Sequence, residues 1–354
     1  MSELPPHNNP SVTVPGDSPA ESCPTRTGDH RKWRGLHWLA ALVGLFTIGC
    51  ALLRFTLADS VHPLGILFYA SPLSVLTAGS LFCLVVATRF RQWRRGVLWL
   101  ILTGFFFTIW IQRDFRWSPQ PPQQTSDSSP SISVLLWNIA RKTDLTDTAA
   151  ALRARDADVI ALIEIAGDPK EWRQSLRDLL PDYDISVLGG GMALLVRGTA
   201  ETAIPHSLGG GSEAREITAT VKGIEFTFLA VDINANLQIS REEALRNLAT
   251  IADNLSNKRL IILGDFNTPP DSVWLNPLRQ NHLQIFETCG RGYRATWPIP
   301  LPLIQLDQIW TNHLTNPIAC EHYGLFLSDH SQVVAIIQPA QSVADPTDNL
   351  ASPP

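Results

Sequence analysis

Two kinds of hydrophobic pattern divide the chain. Residues 36–112 are almost wholly apolar, in three runs separated by polar or charged residues. From Ser131 onward, short β-rich apolar runs alternate with polar stretches of helical periodicity. Long apolar runs are typical of membrane-spanning helices, whereas short β-rich runs between helices are typical of an α/β domain. The pattern therefore predicts a membrane region followed by a globular domain.

The membrane region is predicted to contain three spans. A helix needs about 20 apolar residues to cross the hydrocarbon core, and the runs 36–53, 64–88 and 96–111 each reach or approach that length. Ser71–Pro72 within the second run and Arg54 after the first could mark a functional pocket, but a kinked helix and a snorkelling arginine are the commoner explanations. We expect these three helices to anchor the chain in the bilayer.

Lys and Arg residues predict the orientation of the spans. Segments 31–34 and 89–95 are basic, whereas the loop at 58–63 carries neither Lys nor Arg. Basic loops remain on the cytoplasmic side of the membrane. Three spans would then place the residues after 111 outside the cytoplasm. We expect a multi-pass protein of the inner (cytoplasmic) membrane with an extracytoplasmic C-terminal domain.

Composition gives the boundaries of the regions. Segments rich in Pro, Ser, Thr, Asp and Gln predict disordered tails and a linker. We expect a disordered cytoplasmic tail, a transmembrane region, a linker, a globular domain and a second disordered tail at 1–33, 34–113, 114–130, 131–338 and 339–354.

Charge and cysteine content narrow the range of functions. The 354 residues carry a formal net charge of -5, which gives no general attraction to nucleic acid. Of the five cysteines, only Cys289 and Cys320 lie in the globular domain, too few for a disulfide scaffold. A single bridge between them and two buried free thiols both fit the sequence.

Polar residues recur where the short apolar runs end. The order of runs, with hairpin-like pairs at 192–231, predicts a pair of mixed sheets covered by helices. Ligands of such folds bind where strands end and loops begin. Glu164 in an aliphatic strand is costly to bury unless it is paired or binds a cation, which favours a metal site. The polar strand ends are Asn138, Glu164, Asp232, Asp265, Asn267, Asp307, Asp329 and His330.

These strand ends resemble those of a known superfamily. The motifs W-N, L-I-E, G-D-F-N, L-D-x-I-W and S-D-H end at Asn138, Glu164, Asn267, Trp310 and His330. In this order they resemble the endonuclease/exonuclease/phosphatase (DNase I-like) superfamily over about residues 131–338. The resemblance implies a four-layer α/β sandwich, with two packed mixed sheets flanked by helices, here preceded by three transmembrane helices. G-Y-R-A-T-W-P at 292–298 and the membrane region resemble a membrane-anchored bacterial branch with VanJ-type and YafD-type proteins.

The resemblance implies a metal-dependent hydrolase of phosphoric esters or anhydrides. Glu164, with Asn138 beside it, would hold Mg²⁺ or Mn²⁺, because hard oxygen ligands suit hard cations. Asp265 would orient or deprotonate the attacking water, and Asn267 would donate to the phosphoryl oxygens.

The resemblance also implies a role for the imidazole. His330 would contact the phosphate or act as base, while Asp329 would belong to the metal site and fix the tautomer of His330 by a hydrogen bond. Asp307 would be a further metal or network ligand. The division of the base role between Asp265 and His330 stays open.

Asp232 departs from the family pattern, which usually has histidine or tyrosine at this place. A histidine there is the natural proton donor to the leaving oxygen, and an ordinary carboxylate is ionised at neutral pH. Asp232 could have a raised pKa, bind a second metal, or serve with a leaving group that needs little protonation. The last explanation favours phosphoanhydrides and other activated esters.

Three functions compete at this point. The leading prediction is a membrane-anchored extracytoplasmic phosphohydrolase whose partners are the bilayer and a lipid-linked phosphorylated substrate; no protein partner is inferred. An extracellular nuclease is the second, although the globular domain has no dense basic run. The third is a catalytically silent phosphate-binding or lipid-binding module, which Asp232 favours and the retention of the other site residues does not.

Overall fold

A computed structural model describes residues 27–117 and 130–340 of the chain. The predicted N-terminal tail up to residue 26, with Cys23, residues 118–129 of the linker and the C-terminal tail from residue 341 lie outside the described residues. The helices are α1 (Thr27–Thr56), α2 (Gly65–Ala70), α3 (Leu73–Arg89), α4 (Trp93–Asp114), α5 (Thr146–Arg155), α6 (Pro169–Leu179), α7 (Glu242–Asn254), a 3₁₀ turn (Val273–Leu275), α8 (Asn276–Asn281) and α9 (Ile285–Cys289).

Fifteen strands belong to two sheets of the described chain. The strands are β1 (Phe115–Arg116), β2 (Ile132–Asn138), β3 (Val159–Ile163), β4 (Asp184–Gly189), β5 (Met192–Val196), β6 (Gly198–Ala200), β7 (Ile204–Gly209), β8 (Ser212–Val221), β9 (Ile224–Asp232), β10 (Leu260–Asp265), β11 (His282–Gln284), β12 (Gly290–Tyr293), β13 (Asp307–Asn312), β14 (Thr315–Tyr323) and β15 (Gln332–Pro339).

Both sheets are mixed. The first has the order β1-β12-β14-β15-β2-β3-β5-β4, and the second has the order β11-β13-β10-β9-β8-β6, with β7 also paired to β8. The pairs β2–β3, β9–β10 and β12–β14 are parallel, and the remaining neighbours are antiparallel. The β2–β3 and β9–β10 pairs are joined by helical crossovers through α5 and α7, as expected from the alternation of β-rich and helical patterns, whereas β13 of the second sheet connects β12 to β14.

Three apolar clusters define four layers. One lies between the sheets, where Leu136 of the first sheet and Phe228 of the second belong to the same buried group. A second lies under α5 and α6, and a third lies under α7, whose Leu248 packs with residues of β9 and β10. The order is therefore helices, sheet, sheet, helices. The predicted α/β sandwich of two mixed sheets flanked by helices is confirmed.

The membrane region differs from the prediction of three complete spans. By length and composition, two helices qualify as candidate spans, Arg34–Thr56 within α1 and Trp93–Asp114. The second predicted span is divided into the six-residue α2 and the 17-residue α3. Pro72 lacks the amide that a continuous helix would need and stands immediately before α3. Three spans are thus corrected to two candidates and one shorter apolar helix.

The segment between α1 and α3 is docked on the globular domain. Asp59 is 4 % exposed and accepts hydrogen bonds from the Ser272 hydroxyl, the Val273 amide at 3.0 Å and the Tyr69 hydroxyl at 2.9 Å. Trp274 donates to the carbonyl of Asp59 at 3.1 Å. These bonds hold α2 against the domain, because breaking them would leave buried donors unpaired.

Arg54 strengthens this contact. Its Nη1 donates to the carbonyls of Phe68 and Ser71 at 2.9 and 3.0 Å, and its Nη2 forms an ion pair with Asp271 at 2.6 Å. The Arg54 side chain is only 6 % exposed. The snorkelling explanation is therefore wrong, since the guanidinium bridges the end of α1, α2 and the globular domain.

The end of α4 is also continuous with the domain. Phe115 and Arg116 form β1, which pairs with β12. Arg294 donates its amide to the carbonyl of Asp114 at 2.8 Å, and the Arg294 guanidinium donates to Glu287 and Gln305. The segment predicted as a linker therefore begins with residues that extend the first sheet.

The two cysteines of the globular domain are buried free thiols. Cys289 donates to the carbonyl of Ile285 at 3.5 Å, and burial raises the pKa of its thiol to about 12. The sequence allowed either a disulfide or two free thiols, and the structure contains the free thiols.

Candidate active site

Three carboxylates meet at one edge of the second sheet. β9 and β10 are parallel and end there, and the antiparallel β13 begins there. Asp265 is paired with Asp232 on one side and with Asp307 on the other. Paired residues of neighbouring strands project from the same face. The topology thus places three acids side by side.

Asp265 lies at the centre of this group and is 1 % exposed. Its Oδ2 accepts a hydrogen bond from Asn138 Nδ2 at 2.9 Å, and its Oδ1 accepts one from the Asn267 amide at 2.8 Å. Burial and the neighbouring Asp307 raise the pKa of Asp265 far above its usual range. Ionised Asp265 is therefore costly without a cation nearby.

Asn267 and Gly264 shape the loop around Asp265. Asn267 has φ +45° and donates its side chain to the carbonyl of Ile233 at 2.7 Å. Gly264 stays within β10, and a Cβ there would lie 1.9 Å from the carbonyl oxygen of Val231. Glycine is thus required for the close approach of β9 and β10 rather than for a turn, and the turn falls on Asn267.

His330 enters from the first sheet, immediately before β15. Its backbone is fixed by Trp137 Nε1, which donates to the His330 carbonyl at 3.1 Å. Its Nδ1 lies 2.9 Å from Asp307 Oδ2, and its Nε2 lies 3.9 Å from Asp265 Oδ2. Burial lowers the pKa of His330, but Asp307 and Asp265 outweigh burial and raise the pKa to about 10.

Asp329 does not make the predicted hydrogen bond to His330. Its Oδ2 accepts from Trp297 Nε1 at 3.0 Å, and Asp307 holds the imidazole instead. Consecutive residues direct their side chains differently, so the acid next to His330 in sequence is not the acid that bonds its imidazole. The tautomer of His330 is therefore set by Asp307, a residue placed by the pairing of β10 with β13.

Asn138 is the last residue of β2, as predicted, whereas Glu164 lies just beyond its strand. Asn138 is fully buried, and its Oδ1 accepts from the Ala140 amide at 2.9 Å while its amide group donates to Asp265. Glu164 follows β3 rather than lying inside it, has φ +57° and is 23 % exposed beside Arg141 at 3.3 Å. Glu164 is thus half-buried and paired with Arg141, one of the two conditions that the sequence set for burying it, and its carboxylate lines the cavity described below.

The donor set fits a divalent cation. Ligand atoms of Asp265, Asp307 and His330 lie within 4.8 Å of one another, and Asp307 Oδ1 is buried without a hydrogen-bond partner. Buried, closely spaced carboxylates repel each other, and a hard cation relieves both the repulsion and the orphaned oxygen. The cluster differs from the predicted metal set of Glu164, Asn138 and Asp329.

Asp232 is half-buried, whereas Asp265 and Asp307 are fully buried. Burial and the charges of Glu164 and Glu213 raise the pKa of Asp232 to about 7. This value agrees with the first of the three explanations for its presence. Near pH 7 a large fraction of Asp232 is then a neutral acid, the form that can donate a proton.

A cavity of about 470 Å³ adjoins the cluster. Glu164, Asp265, Asn267, Asp329 and His330 line it together with Arg141, Arg241, Trp297 and the apolar Leu237, Ile304 and Leu306. Tyr69 and Ala70, from the end of α2, complete its wall. The cavity is thus shared by the globular domain and the apolar helical region at 27–114.

Sequence reasoning missed several of these residues, and Tyr69 and Arg241 are the most informative. Tyr69 lies beside the Ser71–Pro72 break, so the break is the available signal, although a plain kink is its commoner explanation. Arg241 precedes α7 within a stretch typical of a charged helix start. No pattern distinguishes such an arginine from a solvent-exposed one.

Two packed mixed sheets with acids and an imidazole at their strand ends define an α/β sandwich able to bind a cation. The model of the Endonuclease/Exonuclease/phosphatase family matches residues 135–330, more than half of the chain. The chain therefore belongs to this family. Its members are typically phosphoester hydrolases that depend on divalent metals.

Solved structures share the fold. A family protein from Bacteroides thetaiotaomicron is 15 % identical, with 61 % of this chain and 100 % of that chain covered and a TM-score of 0.51. One from Bacteroides vulgatus is 16 % identical, covering 60 % and 100 %, with a TM-score of 0.51. TDP2 from Caenorhabditis elegans is 14 % identical, covering 60 % and 78 %, also at 0.51. At these identities the likeness concerns the fold alone. No curated protein matches the sequence.

Proposed function

We propose that the protein is a membrane-anchored, metal-dependent phosphohydrolase whose site lies outside the cytoplasm and whose substrate is a lipid-linked phosphoester or phosphoanhydride. The observation that carries the proposal is the buried cluster of Asp265, Asp307 and His330 beside a cavity that Tyr69 of the membrane region helps to enclose. The resemblance to the VanJ-type and YafD-type branch supports the same conclusion.

The cation would be held by the clustered carboxylates. Asp265 and Asp307 supply oxygen ligands, and Glu164 offers a further carboxylate on the cavity wall. When bound, Mg²⁺ or Mn²⁺ would neutralise negative charge on the phosphoryl oxygens. Asn138 fixes Asp265 by its hydrogen bond, so the position of the acid is set before substrate arrives.

Protons are handled by His330 and Asp232. Asp307 engages Nδ1 of His330, which leaves Nε2 on the side of Asp265, and the raised pKa of His330 makes Nε2 a proton donor at neutral pH. Asp232 can protonate a leaving oxygen only while it is neutral, and the pKa of Asp232 is raised to about 7. A phosphate leaving group is far less basic than an alkoxide. Phosphoanhydrides should therefore tolerate the loss of this proton better than alkyl esters.

The substrate proposal rests on the position of the cavity. Because Tyr69 and Ala70 belong to a segment that begins and ends in apolar helices, the cavity lies next to the membrane region. Leu237, Ile304 and Leu306 add apolar surface to its wall. A phosphate head group attached to a lipid chain matches this combination of polar and apolar surface better than free nucleic acid does.

A pH series with two substrates tests the proposal. The full chain in detergent should hydrolyse a polyprenyl pyrophosphate faster than a simple alkyl phosphodiester, and the ratio of the two rates should increase above pH 7 as Asp232 ionises. Equal turnover of both substrates at every pH would refute the assignment of the leaving group. Preferred cleavage of single-stranded DNA over both would establish the nuclease alternative instead.

A further inference from the structure

Arg241 is a buried cation with an unused donor. The residue is 3 % exposed and precedes α7. Its Nη1 donates to the carbonyls of Asn236 and Ile239 at 2.9 and 3.1 Å, and its Nε donates to the carbonyl of Asn267 at 3.4 Å. Its Nη2 is buried and has no hydrogen-bond partner.

The charge of Arg241 is not balanced by an ion pair. None of the salt bridges formed by residues 27–117 and 130–340 includes this side chain. Burial lowers the pKa of Arg241, while Tyr69 and Asp265 nearby act in the opposite direction. A buried charge whose hydrogen bonds all go to neutral carbonyls is expensive, so an anionic partner for the unpaired Nη2 would stabilise it.

The position of Arg241 indicates what the surplus donor serves. Arg241 lines the same cavity as Asp265 and His330, and it bonds the backbone of Asn267 in the loop that follows Asp265. Arg141 also lines the cavity, but its side chain is 80 % exposed and faces Glu164. Arg241 is thus a buried guanidinium in the cavity wall, held in place by backbone carbonyls of its own loop and of Asn267.

We propose that Arg241 is the phosphate-binding residue of the cavity, with Nη2 donating to a non-bridging oxygen of the substrate's phosphoryl group. The proposal deepens the phosphohydrolase function and rests on it for the identity of the substrate. A guanidinium held by two of its nitrogens presents the third in a fixed direction, which suits a phosphate oxygen. Tyr69, on the opposite polypeptide segment, encloses the same space.

Binding of inorganic phosphate tests the proposal without turnover. Calorimetric titration of the full chain in detergent, at a fixed excess of Mg²⁺, gives the Kd for wild type, Arg241→Met, Arg241→Lys and Arg246→Met. Arg246 is a matched control, because it lies on α7, is exposed and pairs with Glu242. A charge-assisted hydrogen bond contributes about 1.5–3 kcal/mol, so Arg241→Met should weaken the Kd roughly 10-fold to 100-fold.

The Kd of Arg241→Lys should lie between those of wild type and Arg241→Met, since lysine keeps the positive charge and loses the planar guanidinium with its several N–H donors. Arg246→Met should bind as wild type does. An unchanged Kd in Arg241→Met, or no phosphate binding by wild type, overturns the proposal. If Arg241→Met fails to fold, ¹⁵N-arginine spectra of wild type decide: a side-chain resonance of Arg241 that moves to saturation with phosphate supports it, and an unmoved resonance overturns it.

The two proposals can fail separately. If phosphate binding depends on Arg241 but the protein has no hydrolytic activity, the role of Arg241 stands and the phosphohydrolase function is refuted. If hydrolysis is lost in Asp265→Asn but phosphate binding is unchanged in Arg241→Met, the phosphohydrolase function stands and the role of Arg241 is refuted. In hydrolysis assays Arg241→Lys should raise KM more than it lowers kcat, because the positive charge is retained.

Discussion

At the scale of single residues, the sequence predicts which groups matter better than it predicts their partners. Asp232, Asp265 and Asp307 come together because strand ends at one edge of a sheet share a face, and His330 joins them from the first sheet. The imidazole pairs with Asp307 rather than with its neighbour Asp329. That pairing depends on strand register, which a single sequence does not contain.

Asp232 gives a pH-dependent stability that can be measured. The pKa of Asp232 is raised from 3.8 to about 7, so the folded state holds this proton more tightly than the unfolded state. The stability associated with the neutral acid is present below pH 3.8 and is lost as the pH rises through 7. In EDTA, the free energy of unfolding of Asp232→Asn should therefore equal that of wild type near pH 4 and exceed it by about 2–4 kcal/mol at pH 8.

Thermal unfolding of both proteins at the two pH values checks this expectation. The exposed Asp178→Asn on α6 serves as the control and should change neither midpoint. A variant that is less stable than wild type at pH 8, or equally stable at both pH values, would contradict the raised pKa of Asp232.

At the scale of elements, most strands follow the apolar pattern, and β14 does not. It carries polar residues on both faces and Pro317, where the pairing with β15 shifts by a residue. Proline lacks the amide for a regular ladder and is accepted at such irregularities. Its place between β12 and β15 is therefore set by tertiary pairing, which alternation of polar and apolar residues cannot predict.

The contact between β9 and β10 depends on Gly264. Alanine there would place its Cβ 1.9 Å from the carbonyl oxygen of Val231, so the two strands would have to separate. We expect Gly264→Ala to destabilise the domain by more than about 3 kcal/mol or to prevent folding. Gly167→Ala is the matched control, since Gly167 has φ +98° with open space around its Cβ position and should cost about 1 kcal/mol. Similar midpoints of thermal unfolding for the two variants would contradict this account.

The docking of α2 depends on Asp59. Replacing the carboxylate by an amide in Asp59→Asn leaves one acceptor oxygen, so the new NH₂ group faces either the Val273 amide or the Ser272 and Tyr69 hydroxyls. Each buried group left unpaired costs about 1–3 kcal/mol, so amide exchange across α2 should accelerate at least roughly 10-fold. Hydrogen exchange with mass spectrometry measures this, with the exposed Asp147→Asn on α5 as control. Unchanged exchange in Asp59→Asn would show that other contacts hold α2.

At the scale of the whole molecule, the sequence predicts two regions, and the structure joins them. The predicted anchor supplies Tyr69 to the cavity wall, and Arg54 and Asp59 fix that wall to the globular domain. Hydropathy identifies apolar helices, but it does not reveal a break between helices that folds onto another domain. The sequence reveals the break at Ser71–Pro72, but it does not reveal that the residues beside the break line the cavity.

The proposed orientation makes a prediction about intact cells. If the globular domain is outside the cytoplasm, a membrane-impermeant maleimide should label Asp178→Cys without lysis, because residue 178 is exposed. The four described native cysteines are buried and should react little. Labelling that requires lysis would place the domain in the cytoplasm.

The central claim is that the cluster of Asp265, Asp307 and His330 hydrolyses a lipid-linked phosphate with the help of a divalent cation. The most direct measurement is phosphate release from a polyprenyl pyrophosphate by the full chain in detergent, with Mg²⁺, Mn²⁺ or EDTA, beside Asp265→Asn and Asp307→Asn. We predict turnover that EDTA abolishes and that both variants reduce by at least about 100-fold. Turnover that survives EDTA or Asp265→Asn, or the absence of turnover with either metal in a folded wild-type protein, would contradict the account.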